Sequence, residues 1–256
     1  MNTLLYPEWE TPENIFAYTT MRYPGKSLPP YDGFNLAYHV GDNAEHVDFN
    51  QKNLTEQLHL PSKPFWLNQI HSNIALNADQ PRGKNQTYTG DASFTQNPGV
   101  VCAIMTADCL PILLCSLKGD EVAAIHAGWR GLASGIIENT LKHLKNSPVD
   151  LTAWIGPAIS QPCFEVGRDV LDAFRQYHSA EELEAAFIPS TQYSNKWLAD
   201  LSLLAKQRLN HCGVYQVTLS GECTYSNPDK YFSYRRDKGQ TGRIASLIWM
   251  GHTQNL

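Results

Sequence analysis

Long apolar runs, interrupted at a few points by polar side chains, organise the middle of the chain. Nearly continuous apolar runs over 100–106, 110–116, 121–127 and 151–155 are typical of strands that are buried on both faces of a sheet. The sequence SLKGDE over 116–121 predicts a tight turn, which would make the two strands that it joins antiparallel neighbours. The centre of the chain is therefore expected to form a buried sheet.

Other patterns predict strands towards both ends of the chain and several helices. β-Rich or apolar runs predict strands at 15–22, 65–71, 214–220 and 243–250. Helical spacing of apolar residues predicts helices at 129–146, 167–178, 180–187 and 197–211. Because helices and strands alternate without strict βαβ repetition, we expect an α/β or α+β fold with a mixed sheet. The chain shows no polar linker and no internal repeat, so we expect a single domain over 1–256.

Composition and charge exclude several classes of function. With 20 Lys and Arg against 25 Asp and Glu, the net charge of −5 lacks the basic excess that binds nucleic acid. The chain contains neither G-x-G-x-x-G nor a P-loop, so dinucleotide and ATP chemistry have no support. The first residues lack the basic region of a secretory signal, and the apolar stretch 100–115 contains Asp108 and Pro111 and is too short to span a membrane. We therefore expect a cytoplasmic protein with no membrane partner.

Three predicted strands end or break at a side chain that can bind a metal. His71 closes the run 65–71, Cys109 lies between two apolar runs, and His126 lies at the end of a third. Two imidazoles and one thiolate suit zinc with one position left open, and the chain has no C-x-x-C pair typical of a structural zinc site. These residue types would therefore indicate a catalytic metal, although a histidine at a strand end is more often simply hydrogen-bonded. The other five cysteines, expected to be packing residues, are Cys102, Cys115, Cys163, Cys212 and Cys223.

Several motifs together resemble one known family over almost the whole chain. They are GFNLAYHVGD (33–42), NQIHSN (68–73), TADCLPILL (106–114), AAIHAGWRG (123–131), IGPAISQPCFEVG (155–167), CTY (223–225) and SYRRDKGQTGR (233–243). This is the family of laccase-like multicopper polyphenol oxidases, whose bacterial members are now regarded as zinc-dependent purine nucleoside phosphorylases. The resemblance implies zinc bound by His71, Cys109 and His126, with Ser72 standing where the family usually has glycine.

The resemblance also implies a fold and an activity. The implied fold is a layered sandwich of mixed β-sheets flanked by helices, similar to the catalytic domain of cytotoxic necrotizing factor, a cysteine hydrolase. The implied partners are phosphate and the purine nucleosides adenosine, inosine, guanosine and methylthioadenosine. Deamination of adenosine is a further implied activity. The chain lacks the H-x-E and P-C-x-x-C motifs of the well-known zinc deaminases, so deamination would need a different arrangement.

Seven polar residues are candidates for substrate contact or proton transfer. Arg130 follows the His126 strand and could bind phosphate, or it could be a surface arginine. Asn35 and His39 could contact substrate or stabilise a turn, with Asp42 capping the helix that follows. Asp108, beside Cys109, could carry a proton or shape a turn. A second basic cluster that could meet phosphate contains Arg235, Arg236 and Arg243.

Three other functions compete with the nucleoside phosphorylase. Copper could replace zinc in a phenol oxidase, but the nine histidines form no H-x-H pair of the kind that holds a trinuclear copper cluster. Without a metal, Cys109 could act as a nucleophile with His126 or His71 as base, giving a cysteine hydrolase. A non-catalytic metal-binding module is the remaining alternative. A homodimer is compatible with the sequence but is not indicated by any pattern in it.

Overall fold

The structure of the protein, a computed structural model, describes residues 4–80, 83 and 87–252. The strands, in chain order, are β1 (Leu4–Leu5), β2 (Ile15–Thr20), β3 (Ala75–Asn77), β4 (Ala92–Thr95), β5 (Cys102–Thr106), β6 (Leu110–Ser116), β7 (Val122–Ala127), β8 (Leu151–Ile155), β9 (Glu165–Val166), β10 (Phe187–Pro189), β11 (Trp197–Ala199), β12 (Gln216–Leu219) and β13 (Ile244–Met250). The α-helices are α1 (Ala44–Gln57), α2 (Trp129–Ala133), α3 (Ile136–Leu141), α4 (Arg168–Phe174), α5 (Ala180–Ala186) and α6 (Leu201–His211).

The strands of the described residues form three sheets. The largest has the order β12-β8-β6-β7-β4-β3, the second β1-β2-β13-β5, and a small third sheet β10-β11-β9. In the largest sheet, β12 runs parallel to β8 and β3 runs parallel to β4, while the central pairs are antiparallel. This mixed α/β architecture confirms the expected fold class. The likeness to cytotoxic necrotizing factor stays a prediction.

The apolar run of β6 is continuous because both faces of that strand are buried. Ile112 and Leu114 pack on one face with residues of the helices, in a cluster that includes Leu132 of α2. Leu113 and Cys115 point to the other face and pack against residues of β5 and β13, in the second sheet. Since alternate side chains of a strand face opposite sides, one strand supplies both layers of the core. The second sheet is covered on its far side by α1.

Two predicted elements differ in the structure, one because of the Gln69 side chain and the other because of Gly135. Residues 65–71, all of them described, form no strand. Instead, Gln69 donates its side-chain amide to the Met105 carbonyl at 2.8 Å and accepts from the Met105 amide at 2.8 Å. The helix predicted over 129–146 is divided into α2 and α3 at Gly135, whose φ of 90° no helix allows.

One other predicted helix begins later than expected, and one predicted helix cap is replaced by its neighbour. The predicted helix 197–211 begins at Leu201, because the Asp200 side chain caps it by accepting from the Leu203 amide at 2.9 Å. The prediction that Asp42 caps α1 is wrong, because the Asn43 side chain accepts from the Glu45 amide at 2.8 Å.

The chain crosses from the second sheet to the largest sheet between β5 and β6. Ile244, at the start of β13, pairs with Thr106 at the end of β5. Leu110, at the start of β6, pairs with Ala127 at the end of β7. The crossing segment 107–109 therefore brings the ends of four strands together. Within the described residues, no helix has both the length and the apolar character that a membrane crossing requires.

Candidate metal centre

Three side chains from separate segments converge where the sheets meet. His71 follows the loop 65–70, Cys109 lies on the crossing segment, and His126 is in β7. Their potential ligand atoms all lie within 4.8 Å of one another, and Cys109 Sγ lies 3.6 Å from His71 Nε2. The two imidazole rings meet edge to face at an interplanar angle of 73°. A thiolate and two imidazoles at this spacing form a donor set suited to zinc or copper.

The backbone around this group has the features of a close-fitting site. His71 has φ 60° and Asp108 has φ 85°, a left-handed region that residues other than glycine rarely adopt. A Cβ atom on Gly128 would lie 2.6 Å from His71 Cδ2 and 3.2 Å from Cys109 Sγ. Glycine at position 128 therefore lets the chain leaving β7 pass directly beside two of the three candidate ligands.

Asp91 holds two of the candidate ligands in place and was not predicted from the sequence. Its fully buried carboxylate lies 2.8 Å from His126 Nδ1. The same carboxylate accepts from the His71 amide at 3.0 Å and from both the amide and the hydroxyl of Ser72 at 2.6 Å. A carboxylate that hydrogen-bonds the outer nitrogen of a ligating histidine fixes the ring's orientation. The available signal was an acidic residue directly before the fully buried strand β4.

The pKa values of these side chains favour an ion pair between the Cys109 thiolate and the protonated His126 ring. Burial raises the pKa of Cys109, but His126 and His71 outweigh it and lower that pKa to about 6. Burial lowers the pKa of His126, but Cys109 and Asp91 outweigh it and raise that pKa to about 9. Burial likewise opposes the shift of Asp91, whose hydrogen bonds with His126 and Ser72 lower its pKa to about 2. Cys109 is therefore mainly a thiolate at neutral pH. A metal ion that binds His126 would displace a proton from its ring.

The three candidate ligands lie in a cavity of 370 Å³, a size suited to a small molecule. Its apolar lining includes Trp129 and Phe164, and the ring of Tyr234 also faces it. These aromatic residues were not predicted from the sequence, because an isolated aromatic side chain carries no signal that separates a lining role from a packing role.

Three arginines line the same cavity, and each lies over one of its aromatic rings. The guanidinium of Arg130 lies 4.4 Å from the centroid of Trp129. The corresponding distances are 5.4 Å from Arg235 to Phe164 and 5.7 Å from Arg243 to Tyr234. Such stacking orients each guanidinium. Two of them are also fixed by backbone carbonyls, since Nη1 of Arg235 donates to Glu165 at 3.0 Å and Nη1 of Arg243 donates to Thr241 and Gly242 at 2.9 Å. The cavity therefore combines a potential metal site with a cationic wall.

Some of the remaining predicted residues line the cavity, and others hydrogen-bond the segments around it. His39 lines the cavity, and burial together with the charge of Arg243 lowers its pKa. Asn35 is fully buried outside the cavity, where its side chain bonds Ala37, Asp42 and the Arg243 amide.

Asp108 and Arg236 support the segment 224–237. Asp108 lines the cavity, but its carboxylate accepts from Thr224, Ser233 and the Arg235 amide. Arg236 lies outside the cavity and bonds Asp237 and the carbonyls of residues 224, 225 and 231. The role of Asp108 as a proton carrier stays a prediction.

Comparison with known proteins gives relatives over the full length of the chain. The purine nucleoside phosphorylase YfiH of Escherichia coli is 46% identical over 98% of this chain and 100% of that protein. A purine nucleoside phosphorylase of Haemophilus influenzae is 45% identical over 95% of this chain and 97% of that protein. The crystal structure of the Neisseria meningitidis protein NMB0706 matches with a TM-score of 0.91 and 45% identity, covering 98% of this chain and 100% of that one.

A more distant structure has the same fold. The crystal structure of YlmD from Geobacillus stearothermophilus matches with a TM-score of 0.83 and 29% identity, covering 94% of this chain and 93% of that one. The sequence model described as multi-copper polyphenol oxidoreductase laccase matches residues 16–251. The chain therefore belongs to the multi-copper polyphenol oxidoreductase laccase family.

Proposed function

We propose that this protein is a zinc-dependent purine nucleoside phosphorylase. The observation that carries the proposal is a single cavity that contains the group His71, Cys109 and His126 together with three arginines. Relatives that are 45% and 46% identical are named purine nucleoside phosphorylases, which supports the same activity here.

The cavity offers separate surfaces for the two substrates of such a reaction. The guanidiniums of Arg130, Arg235 and Arg243 would bind phosphate through charge-assisted hydrogen bonds. The flat apolar surfaces of Trp129 and Phe164 would stack on a purine ring. In the reaction a phosphate oxygen bonds to the sugar C1′, the bond from C1′ to the base nitrogen breaks, and the base takes up a proton.

The candidate ligands fit zinc by the chemistry of their donors. His71, Cys109 and His126 would hold the ion, which supplies Lewis acidity beside the reacting groups when bound. Asp91 orients the His126 ring, and the arginines stabilise negative charge on phosphate.

Release of free base tests this function. The purified, zinc-loaded protein is incubated with inosine or adenosine, with and without phosphate, and products are separated by chromatography. We expect base release that requires phosphate and is lost in Cys109→Ala. The Cys212→Ala variant, which changes a cysteine outside the cavity, is the matched control and should retain the activity. Base release that is equal in the absence of phosphate would contradict phosphorolysis.

The same assay addresses the finer substrate predictions. Guanosine and methylthioadenosine are tested beside inosine and adenosine. Conversion of adenosine to inosine, rather than to adenine, would reveal the deaminase activity that the family resemblance implies. The predicted cytoplasmic location and the possible homodimer are separate from this assay and stay predictions.

A cysteine hydrolase is a second candidate, favoured by one specific arrangement. The potential ligand atoms of Cys109 and His126 lie within 4.8 Å of each other, and His126 Nδ1 in turn lies 2.8 Å from Asp91. A nucleophile, a base and an orienting carboxylate in this order form the logic of a catalytic triad. Activity on an ester or amide that survives chelation and is abolished by alkylation of Cys109 would support this alternative.

Copper-dependent oxidation of phenols is the weaker alternative. Within the described residues, His71, Cys109 and His126 form the one group of three potential ligands. A multicopper oxidase needs several copper sites, so this group supplies too few ligands for that mechanism. Oxidation of phenols that appears only with added copper, in protein that releases no base, would favour it.

A further inference from the structure

Two cysteines that the sequence predicts to be packing residues lie in a polar cluster behind the cavity wall. Cys223 Sγ accepts hydrogen bonds from the Ser160 hydroxyl at 3.0 Å and from the Ser160 amide at 3.4 Å. Cys163 Sγ lies 3.4 Å from the Ser226 hydroxyl. Both thiols are free, and Cys163 is partly exposed to solvent.

Ser226 belongs to the surroundings of both cysteines. Its hydroxyl lies 3.4 Å from Cys163 Sγ, and Ser226 also helps to lower the pKa of Cys223. The segments that carry the cysteines are aligned by backbone hydrogen bonds, from the Ala158 amide to the Glu222 carbonyl at 3.3 Å and from the Thr224 amide to the Ala158 carbonyl at 3.0 Å. Each cysteine therefore contacts a serine on the segment of the other, which places both cysteines in one cluster of side chains.

The surroundings of Cys223 favour its thiolate. Burial raises its pKa, but hydrogen bonds from Ser160 and Ser226 outweigh this and lower that pKa to about 7. By contrast, burial raises the pKa of Cys115 to about 12 and that of Cys212 to about 11. Because the thiolate is the reactive form of cysteine, Cys223 has the largest reactive fraction of these three thiols at neutral pH, although its side chain is largely buried.

We propose that Cys163 and Cys223 form a redox-sensitive pair that closes to a disulfide when the protein meets a peroxide. The Cys223 thiolate attacks a peroxide oxygen, the O–O bond breaks, and Cys223 becomes a sulfenic acid while the other oxygen leaves as water after protonation. The Cys163 sulfur then attacks the Cys223 sulfur, the S–O bond breaks, and a second water leaves. Two thiols and one hydrogen peroxide thus give one disulfide and two waters.

The pair connects the segment 159–164, whose ends line the cavity, with the segment that carries Cys223 and Thr224 and supports Asp108. Ile159 and Phe164 line the cavity on either side of Ser160. Thr224, next to Cys223, donates its hydroxyl to Asp108 at 2.6 Å. A disulfide here would link these segments covalently, at a place separate from the candidate metal ligands.

Mass spectrometry after peroxide treatment tests this proposal. The full-length, zinc-loaded protein is treated with a small excess of hydrogen peroxide, free thiols are alkylated, and the protein is digested without reductant. We expect a cross-linked peptide that contains Cys163 and Cys223 and that disappears after reduction. The variants Cys163→Ser and Cys223→Ser should each lack it, while the control Cys212→Ser should form it as the unchanged protein does.

The outcome that overturns the proposal is equally specific. The unchanged protein would then yield Cys163 and Cys223 as separate peptides, either both alkylated or with Cys223 oxidised to the sulfinic acid. Far-ultraviolet circular dichroism confirms that each serine variant is folded, so that loss of the cross-link reports the missing sulfur.

Discussion

At the scale of single residues, the candidate site depends on a carboxylate that is placed behind the histidines. Asp91 is fully buried, and its acceptor positions are occupied by groups belonging to His126, His71 and Ser72. Such a carboxylate determines which His126 nitrogen is free to face Cys109. It therefore couples the orientation of one candidate ligand to the backbone position of another.

Replacing this carboxylate should weaken zinc binding. In Asp91→Asn the side chain has nearly the same shape but loses its negative charge, so the His126 ring and the loop at His71 are less well fixed. We expect zinc affinity to fall by about 10–100-fold, as for other partners of ligating histidines. A competition titration with a chromophoric chelator measures it.

The matched control for this variant is Asp120→Asn. The Asp120 carboxylate also accepts side-chain hydrogen bonds, from Ser116 at 2.6 Å and from Asn146 at 2.8 Å, but lies outside the cavity. Its zinc affinity should equal that of the unchanged protein. Equal affinity in Asp91→Asn and the unchanged protein would show that Asp91 does not position the ligands.

The alkylation of Cys109 in the metal-free protein should depend on pH in a characteristic way. Since His126 and His71 lower the thiol's pKa to about 6, the thiolate and its reactivity increase as pH rises through about 6. An ordinary thiol would show this increase at a pH of about 8.5. Peptide-resolved labelling with iodoacetamide from pH 4 to pH 9 measures the midpoint.

The buried Cys115 is an internal reference for that experiment. Burial raises its pKa to about 12, so it should stay unlabelled over the whole range in the folded protein. A Cys109 midpoint at the position of an ordinary thiol would refute the charged pair of Cys109 and His126.

At the scale of elements, strand ends and the loops between them form the site. The sequence predicted the strands but not the contacts of the loops. The apolar runs of β6, β7 and β8 are buried as predicted, because a strand covered on both faces must be apolar throughout. A polar residue at the end of such a run, such as His126, is therefore a candidate functional residue. Loop contacts left no comparable pattern, so the aromatic lining and Asp91 were not foreseen.

The predicted strand over 65–71 shows the limit of local patterns. Its residues have β-rich composition, but pairing depends on a neighbour that composition does not reveal. The Gln69 side chain occupies the backbone groups of Met105 that an adjoining strand would have used. The break at Gly135 within the predicted helix 129–146 is similar, because glycine is tolerated in helices and the sequence does not reveal that this one has a positive φ.

Adding a methyl group at the end of β7 should disturb the candidate metal site. The Cβ of Gly128→Ala would lie 2.6 Å from His71 Cδ2, so the imidazole must shift from its position beside Cys109 and His126. We expect zinc affinity to fall by at least about 10-fold, comparable to loss of a positioning partner. The chelator titration measures the change.

Gly221→Ala controls for the general effect of replacing a glycine. Gly221 has φ 68°, so alanine there is strained, but a Cβ would meet nothing within 4 Å. This variant should lose about 1–2 kcal/mol of stability while it binds zinc normally. Normal zinc affinity in Gly128→Ala would contradict the close approach described for that position.

At the scale of the whole molecule, the cavity lies where the chain crosses from the second sheet to the largest sheet. The second sheet contributes Met105 and Thr106 to the lining, while the largest sheet contributes His126. Cys109 lies on the segment that connects them. A core shared by β6 with β5 and β13 fills the space between these sheets. The site and the fold therefore depend on the same packing.

This shared core leads us to expect one cooperative unfolding transition, as for a single domain. Calorimetric and van't Hoff enthalpies should agree in differential scanning calorimetry. Zinc at 100 times its Kd should add about 2.7 kcal/mol of stability and raise the Tm, since it binds the folded protein. Two separate transitions, of which only one shifts with zinc, would contradict a single folding unit.

The stoichiometry of the products from inosine and phosphate tests the central claim most directly. The zinc-loaded protein is incubated with both, hypoxanthine is measured by chromatography, and ribose 1-phosphate is measured by phosphorus NMR. We predict that the two products appear in equal amounts and that both are absent with Cys109→Ala. Hypoxanthine accompanied by free ribose, or no release of base from any purine nucleoside, would contradict the proposed phosphorylase.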